Sequence, residues 1–316
     1  MEVTLQNIRK VFGPVIANDD INLTFASGNI YGVLGENGAG KSTLMKILSG
    51  FQPPDSGEIL IDQKEVHFHS PKVGLEHGLG MLYQDPLDFP PFDIIENYLL
   101  GKDNKLILDR KGAAEDLKEL ADRYGFTVDI EARIDSLSIG ERQQLELVRL
   151  LAGGAELLIL DEPTTGISAE QKRILFDSIL KMAKVNKKIV ILVSHKLEEI
   201  QELCSQAYIL RKGKIVGQSQ VPCPNEVLVK MMFETLPPKT EKPALVTQHA
   251  MIKLEGAQLH PESKYINLTI QEGEVFGLAG LEGSGQELFL RTLAGLSDFH
   301  AGEIIIDGDS ASGISY

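Results

Sequence analysis

A glycine-rich segment at residues 35–43, GENGAGKST, constrains the fold of this chain more than any other stretch. It satisfies the pattern G-x-x-x-x-G-K-[ST] without a gap, at Gly35, Gly40, Lys41 and Ser42. The apolar run 30–34 before it predicts a short buried strand, and residues 43–48 after it predict the start of a helix. That strand–loop–helix context favours a phosphate-binding loop over the alternative, a glycine-rich turn that matches by chance.

The chemistry of such a loop depends on its backbone and on two side chains. Glycines let several N–H groups face one anion, and the helix N-terminus adds positive potential. Lys41 is expected to reach the terminal phosphates, and the Ser42 hydroxyl to hold Mg²⁺. The sequence therefore predicts ATP and Mg²⁺ as cofactors. The residues expected to bind the phosphates are Gly35, Glu36, Asn37, Gly38, Ala39, Gly40, Lys41, Ser42 and Thr43.

The rest of the chain up to about residue 230 alternates between strand-like and helix-like patterns. Alternating apolar and polar residues predict paired strands near the N-terminus, and short apolar runs predict further strands downstream. Strands that alternate with helices predict a parallel α/β sheet whose strand-end loops carry the chemistry. The expected strands are 3–8, 21–25, 59–61, 157–160 and 189–193, and the expected helical regions are 108–152 and 169–184.

The apolar run 157–160 ends at two carboxylates, Asp161 and Glu162. Downstream of a phosphate loop, this pattern predicts that Asp161 orders Mg²⁺ through water and that Glu162 polarises the water attacking the γ-phosphate. The alternative is a strand that ends in an ordinary acidic turn.

The segment Leu137-Ser138-Ile139-Gly140-Glu141, between the phosphate loop and the acidic pair, identifies a family. With these motifs in this order, the chain resembles the nucleotide-binding subunits of ABC transporters. In that family the equivalent LSGGQ signature binds the γ-phosphate held by an opposing domain. Here Ile139 and Glu141 depart from LSGGQ in a way that resembles the carbohydrate-importer branch. Ser138 and Glu141 also match a helix capping box, and both interpretations are compatible.

Further residues are assigned by the resemblance. Gln84 looks like the family's Q-loop residue, which senses Mg²⁺ and the membrane partner, and His195 looks like the switch histidine that contacts the γ-phosphate. Phe12 resembles the aromatic that stacks on adenine, although a packed strand residue is the alternative. The resemblance therefore implies Glu162, His195 and Gln84 as catalytic residues and Ser42, Gln84 and Asp161 around the metal. Ser168 stands where the D-loop usually has Asp, which puts that loop's inter-domain role in doubt.

A partial repeat follows a Pro- and Lys-rich stretch. We expect a nucleotide-binding domain at 1–236, a linker at 237–249 and the N-terminal part of a second, degenerate copy at 250–316. In that copy residues 271–278 mirror residues 26–34, so that 274–278 correspond to the strand before the phosphate loop. Its own loop carries Gln286 in place of the lysine and Glu287 in place of the serine, so a carboxylate would repel phosphate there. Because the copy is incomplete, we expect the chain to be a fragment.

The implied fold class is α/β, a P-loop NTPase of the ABC type. It has a RecA-like parallel sheet core, an antiparallel β subdomain and a helical subdomain, followed by the start of a second copy. A formal net charge of −14 argues weakly against nucleic acid as a partner. No apolar run approaches the roughly 18 residues of a membrane span. Cys204 and Cys223 show neither metal-binding nor disulfide spacing.

The resemblance implies ATP hydrolysis that energises import of a carbohydrate or nucleoside. The partners would be integral membrane permease subunits, an extracytoplasmic solute-binding protein acting indirectly, and a second nucleotide-binding domain or a homodimer. The location would be peripheral, at the cytoplasmic face of the membrane. Two alternatives stay open: a soluble ABC-type ATPase acting on ribosomes or DNA, and a nucleotide-gated regulatory module. The transported solute is not readable from these residues.

Overall fold

The computed structural model of the protein describes residues 1–100, 109–233, 249–280 and 284–310. The chain divides into two compact units, Met1–Pro237 and Pro238–Tyr316. Except for its last residue, the expected linker 237–249 lies outside the described residues. The domain boundaries inferred from the sequence stay a prediction.

The larger unit contains ten strands and eight α-helices among its described residues. The strands are β1 (Glu2–Phe12), β2 (Val15–Ala26), β3 (Ile30–Leu34), β4 (Ser56–Ile61), β5 (Lys64–Val66), β6 (Leu79–Leu82), β7 (Leu157–Asp161), β8 (Ile189–Val193), β9 (Gln206–Arg211) and β10 (Lys214–Gln220). The helices are α1 (Lys41–Leu48), α2 (Pro71–Glu76), α3 (Ile94–Leu99), α4 (Arg110–Tyr124), α5 (Ile139–Ala152), α6 (Ala169–Lys184), α7 (Leu197–Leu203) and α8 (Asn225–Met232).

A six-stranded sheet forms the centre of this unit, in the order β10-β9-β3-β8-β7-β6. Neighbouring strands from β9 to β6 are parallel, and β10 pairs antiparallel to β9 at one edge. Every residue of β3 and β8 is buried, which explains why both read as continuous apolar runs rather than alternating patterns. Because the strands are parallel, the loops after β3, β6, β7 and β8 emerge at the same edge.

An antiparallel sheet in the order β2-β1-β4-β5 covers α1. Its inward side chains alternate with exposed ones and pack with residues of α1, β3 and β8 in one apolar cluster. In the pair β1–β2, Val3 lies opposite Phe25 and Leu5 lies opposite Leu23. The two N-terminal strands expected from the sequence are thus present, each longer than the alternation alone predicted.

The sequence predicted a helical region from 108 to 152, but the structure has two separate helices there, α4 and α5. The prediction of one continuous helical region is therefore wrong. Helix α4 ends at Gly125, whose φ of +82° is a left-handed C-cap that favours glycine. Helix α5 begins only after Ser138, which caps it. Between them lie a 3₁₀ turn, Ile134–Ser136, and a backbone bridge between Arg133 and Asp93. Helical periodicity continues on both sides of this break and does not reveal it.

The smaller unit contains the strands β11 (Ala250–Gln258), β12 (Ile266–Gln271), β13 (Ala301–Ile306) and β14 (Asp309–Ser310) and the helix α9 (Gln286–Leu293). Its sheet order, β12-β11-β13-β14, parallels β2-β1-β4-β5. A small core of Leu254, Ala257, Phe289 and Ile304 holds it together. The mirrored strand expected at 274–278 is not formed, and Val275 there is 98% exposed. That this unit begins a second nucleotide-binding domain stays a prediction.

Candidate functional site

The phosphate loop lies between the buried end of β3 and the first turn of α1. Gly35 and Gly40 have φ of +154° and +103°, and a Cβ on either would come within 2.1 Å of a backbone oxygen. Only glycine fits at these two positions. Asn18, fully buried on β2, donates from Nδ2 to the Gly40 carbonyl at 3.2 Å and fixes the end of the loop. The first N–H groups of α1 have no intrahelical partners, as in other helices, and can face an anion.

Lys41 reaches back over this loop. Its Nζ donates to the carbonyl of Gly35 at 2.7 Å and to that of Glu36 at 3.0 Å. Burial lowers the pKa of Lys41, and the charges of Glu162 and Asp161 oppose that effect. The ammonium therefore lies near both carboxylates, although they come from a strand more than 100 residues further along the chain.

The two carboxylates sit at the end of β7 in different environments. Burial, and then the charge of Glu162, raises the pKa of Asp161, while Lys41 opposes the rise. Glu162 has a φ of +50°, in the left-handed region that costs a residue with a side chain about 1 kcal/mol or more. Its N–H donates to the carbonyl of Val193, the last residue of β8, at 2.9 Å, which holds this backbone in place.

Glu162 and His195 are in direct contact. The Nδ1 atom of His195 lies 2.9 Å from Oε1 of Glu162. The other oxygen, Oε2, is buried and has no hydrogen-bond partner among the described residues. A buried carboxylate oxygen without a donor is costly, so this atom is available for a water molecule or a substrate group.

Six of the expected site residues line a cavity of about 820 Å³, whereas Lys41, Ser42 and Asp161 are not among its lining residues. The loop after β6 supplies Gln84, and two residues that the sequence did not single out, Met232 and Phe233, lie at the end of α8. The lining residues are Gly35, Glu36, Asn37, Gln84, Glu162, Thr165, His195, Met232 and Phe233. Phe12 does not line this cavity; it is 48% exposed at the end of β1, with Nζ of Lys10 lying 5.7 Å from its ring centroid.

The signature residues lie apart from that cavity, and none of Ser138, Ile139, Gly140 and Glu141 lines it. Ser138 caps α5, and the capping box with Glu141 is formed in both directions. Ile139 is 40% exposed, so this corner faces outward. The arrangement is compatible with the capping role and also with a role toward another molecule's nucleotide.

A buried carboxylate near the site, Glu199, was missed from the sequence. It is fully buried in the first turn of α7 and accepts hydrogen bonds from Thr164 Oγ1 at 2.7 Å and from Ser194 Oγ at 3.0 Å. The Nζ atoms of Lys172 and Lys196 lie 3.3 and 3.5 Å from its Oε1. Glu199 thus joins the loop after Glu162 to the segment that carries His195. A glutamate four residues after His195 was the available signal.

The loop after Gln84 is fixed to the signature helix. Arg142 on α5 forms a bidentate ion pair with Asp88, at 2.6 and 2.5 Å, and the Asp88 side chain is only 7% exposed. Glu146, one turn further along α5, accepts the Leu87 N–H at 2.9 Å. The rings of Phe89 and Phe92 stack at a centroid distance of 5.6 Å and are 56% and 39% exposed. An apolar outward surface, Leu87–Phe92, is therefore carried on a rigid support.

The sequence of this chain is similar to those of known proteins. Residues 18–165 match the family model described as ABC transporter. The chain is 34% identical over 315 residues to the guanosine import ATP-binding protein NupO of Bacillus subtilis, covering 97% of this chain and 62% of that protein. It is 33% identical over 311 residues to the ribose import ATP-binding protein RbsA 1 of Rubrobacter xylanophilus, covering 96% and 61%.

The fold is also found among solved structures. A dimeric bacterial ABC transporter cassette matches with a TM-score of 0.61 at 19% identity, covering 70% of this chain and 99% of that one. The expected P-loop NTPase fold of the ABC type is thus confirmed for the larger unit. No helix in the described ranges is both long and apolar enough to cross a membrane.

The chain spans about three fifths of the length of the curated relatives it matches, as the 62% and 61% coverages show. The motif order, the fold and the relatives agree: residues 18–165 belong to the ABC transporter family, and the chain is similar to ATP-binding proteins named for sugar and nucleoside import.

Proposed function

We propose that this protein binds Mg-ATP and hydrolyses it to ADP and phosphate to energise import of a sugar or nucleoside through a membrane permease. The observation that carries the proposal is the arrangement around Glu162. Its Oε1 contacts His195 at 2.9 Å while its buried Oε2 has no partner among the described residues. A carboxylate held on one side and free on the other is what a base for an attacking water needs.

In this proposal each of the chain's own residues has a role. Lys41 and the N–H groups at the start of α1 bind the phosphates and neutralise their charge. Glu162 accepts a proton from the water through Oε2, and His195 keeps that carboxylate oriented and contacts the γ-phosphate. Gln84, across the cavity, orients the water or the metal. The role of Phe12, stacking on the adenine ring, comes from the resemblance alone, and its 48% exposure leaves the ring accessible.

The residues present fit a magnesium ion. Oxygen ligands suit Mg²⁺. Burial, and then the charge of Glu162, raises the pKa of Asp161, so a divalent cation beside the ionised carboxylate would offset the cost of burying it. Ser42, Asp161 and Gln84 would hold the ion. When bound, the ion would supply positive charge that offsets the negative charge developing on the phosphates during transfer.

Import is favoured over the alternative functions by two features. The relatives are named as guanosine and ribose import ATP-binding proteins, and the second loop has Gln286 and Glu287 where a competent loop has Lys and Ser. Soluble ABC ATPases of ribosomes or DNA usually keep both lysines. A regulatory module without turnover would not need the arrangement of Glu162 and His195.

The surface Leu87–Phe92 is the proposed docking site for the permease. The alternative is that the side chains of this surface pack against the helical subdomain. Leu87, Phe89 and Phe92 are 54%, 56% and 39% exposed, which argues against that alternative. The location would accordingly be peripheral, at the cytoplasmic face of the membrane, with a solute-binding protein acting through the permease.

Pull-down from native membranes tests the proposal. The tagged chain is purified in detergent after expression in its host, and the bound proteins are identified by mass spectrometry. We expect integral permease subunits, and we expect their loss when Phe89 and Phe92 are both changed to Asp. Recovery of ribosomal proteins or DNA instead, with no permease, would favour the soluble ATPase.

A composite site makes a second test possible. Cassettes of this fold occur as dimers, as the matched solved structure does, and Ser138 and Gly140 would face the partner's nucleotide. We expect the isolated chain to bind Mg-ATP and to hydrolyse it slowly or not at all. Any residual rate should rise more than linearly with protein concentration, because it requires two chains. A fast rate per chain that does not depend on concentration would contradict a composite site.

A further inference from the structure

The surface Leu87–Phe92 has no regular secondary structure, yet buried side chains of two helices bind its backbone. Glu146 on α5 is 5% exposed and accepts the Leu87 N–H at 2.9 Å. Asn97 on α3 is fully buried and bonds both backbone groups of Phe89: its Oδ1 accepts the N–H at 2.8 Å, and its Nδ2 donates to the carbonyl at 3.1 Å. These two helices thus supply hydrogen bonds that a neighbouring strand would supply in a sheet.

Three side chains of α5 that contact this surface lie on one face of the helix. Arg142, Glu146 and Arg149 are four and then three residues apart, a spacing that places them one above the other. Nη1 of Arg149 donates to the Leu87 carbonyl at 3.3 Å, and Arg142 binds the side chain of Asp88. One face of α5 is therefore engaged with the surface along two turns.

The ion pair between Arg142 and Asp88 is the contact that is most costly to break. The Asp88 side chain is 7% exposed, and that of Arg142 is 25% exposed. Nε and Nη2 of Arg142 each bond one carboxylate oxygen, at 2.6 and 2.5 Å, which fixes the orientation of both groups. Without the guanidinium, Asp88 would be a buried charge without compensation. It could reach water only if the backbone moved, and the neighbouring Phe89 would move with it.

We propose that Arg142 is a positioning residue for permease docking: by pairing with Asp88 it holds the exposed rings of Phe89 and Phe92 in the arrangement that the permease binds. The proposal rests on the proposed function, since it concerns the same docking surface. A surface that is ordered before binding loses less conformational freedom on association, so the permease binds it more tightly than it binds mobile rings. Arg142 acts here through Asp88 and not by its own contact with the permease.

Apolar replacements separate this role from a general loss of charge. Arg142→Met keeps a long side chain but removes both donors and leaves the Asp88 charge unpaired. A double variant, Arg142→Met with Asp88→Leu, replaces the whole pair by apolar side chains, a change that proteins often tolerate. Arg123→Met is the matched control. It removes the same charge from an ion pair with Glu119 at 2.6 Å, in which the side chains are 52% and 70% exposed.

The test measures permease capture and local order in the whole chain. The permease subunits recovered with the parent chain, solubilised in detergent, are titrated against each immobilised variant. We expect Arg142→Met to weaken capture at least about tenfold, the double variant to stay within about threefold of the parent, and Arg123→Met within about twofold. Hydrogen exchange in peptides that cover 87–92 should be faster in Arg142→Met than in the other proteins, because the bound N–H groups of Leu87 and Phe89 open more often.

Binding of a fluorescent ATP analogue to Arg142→Met shows whether its nucleotide site is folded, and the affinity should stay within about twofold of the parent. If this variant does not bind the analogue, Arg142→Lys takes its place. Lysine keeps the charge but cannot bond both carboxylate oxygens in one plane, so we expect capture to weaken about threefold or more.

Three outcomes would overturn the proposal. The first is capture by the Arg142 variant at the affinity of the parent, and the second is an equal loss in Arg123→Met. The third is a double variant as impaired as Arg142→Met, because Arg142 would then not act through Asp88. Failure of the proposed function looks different: the parent chain itself recovers no permease, and the assigned partner and the role of Arg142 are both rejected.

Discussion

Replacing Glu199 by Gln tests whether a buried carboxylate positions the catalytic loops. The side chain is fully buried and joins Thr164, in the loop after Glu162, to Ser194, which precedes His195. Glutamine preserves the shape and can still bond both hydroxyls, because Ser194 Oγ can accept as well as donate. The change therefore removes the charge and little else.

The size of the effect follows from the hydrogen bonds and ion pairs that the substitution weakens. A hydrogen bond to a charged group contributes about 1 kcal/mol more than a neutral one, and Glu199 accepts two from hydroxyls. Lys172 and Lys196 lose their ion-pair partner as well, but their side chains are 35% and 37% exposed, so screening limits that loss to below about 1 kcal/mol each. We expect Glu199→Gln to lower the free energy of unfolding by about 3 kcal/mol.

The pH dependence of the free energy of unfolding provides a second, independent test. Burial opposes ionisation of Glu199, but hydrogen bonds from Thr164 and Ser194 and the charges of Lys196 and Lys172 together hold its pKa below the usual value of 4.5. A carboxyl with a lowered folded-state pKa stabilises the protein above its unfolded pKa, and the contribution is lost as the pH falls through the folded value. The difference between wild type and Glu199→Gln should thus be full at neutral pH and should shrink below about pH 4.5.

Urea unfolding, monitored by circular dichroism, measures the free energy of unfolding and its dependence on pH. Circular dichroism is used because the chain has no Trp for fluorescence. Addition of Mg-ATP identifies the transition of the larger unit, because a ligand stabilises the unit that binds it. Glu198→Gln, at the exposed neighbouring position, is the control and should change stability by less than about 0.5 kcal/mol. Equal effects of the two variants, or a Glu199→Gln difference that does not depend on pH, would refute the reasoning.

Four further predictions concern the site, and where they involve hydrolysis the rate is measured in the complex recovered with the permease. Lys41→Ala should abolish hydrolysis and weaken ATP binding by about 1–3 kcal/mol in a fluorescent-analogue titration; unchanged turnover would reject the phosphate-loop assignment. Glu162→Gln should slow hydrolysis by at least about 10²-fold while binding persists, and a loss of binding at an unchanged rate per bound ATP would make Glu162 structural. Burial, and then the charge of Glu162, raises the pKa of Asp161. The ionised carboxylate therefore destabilises the folded protein, and the free energy of unfolding increases as the pH falls through that raised pKa. Asp161→Asn should therefore raise the urea midpoint of the nucleotide-free protein and remove the further gain from Mg-ATP; a lower midpoint would contradict this. Charged residues at Phe89 and Phe92 should impair permease docking more than ATP binding, and a stable permease complex with both substituted would reject the docking surface.

Much of the fold was predictable where the determinants are local. The strand–loop–helix around Lys41 depends on apolar residues, glycines and a helix start that are adjacent in sequence. Helix α6 begins and ends where its periodicity predicted, at Ala169 and Lys184, because Ser168 caps it. The break after α4 was missed because periodicity was used alone, although Gly125 marks its start and the capping box of Ser138 and Glu141 marks its end.

The site was predictable to the extent that motifs mark it. Gln84, Glu162 and His195 come from loops far apart in sequence, and the structure brings all three to one cavity. Glu199 and the Asp88–Arg142 pair were missed for a physical reason. Each depends on partners in other segments, and a single charged residue in the sequence does not reveal whether it is buried against them.

Residues 274–278 show that a local apolar pattern forms a strand only where neighbouring strands pair with it. They mirror β3, which is buried because β8 and β9 pair with it on either side. Within 249–280 and 284–310 no strand takes the place of β8 or β9, and the segment stays irregular, with Val275 98% exposed. Strands β11, β12 and β13 do form, because each finds an antiparallel partner within these same ranges. An apolar run thus becomes a strand of a parallel sheet only when distant segments supply the hydrogen bonds that its backbone requires.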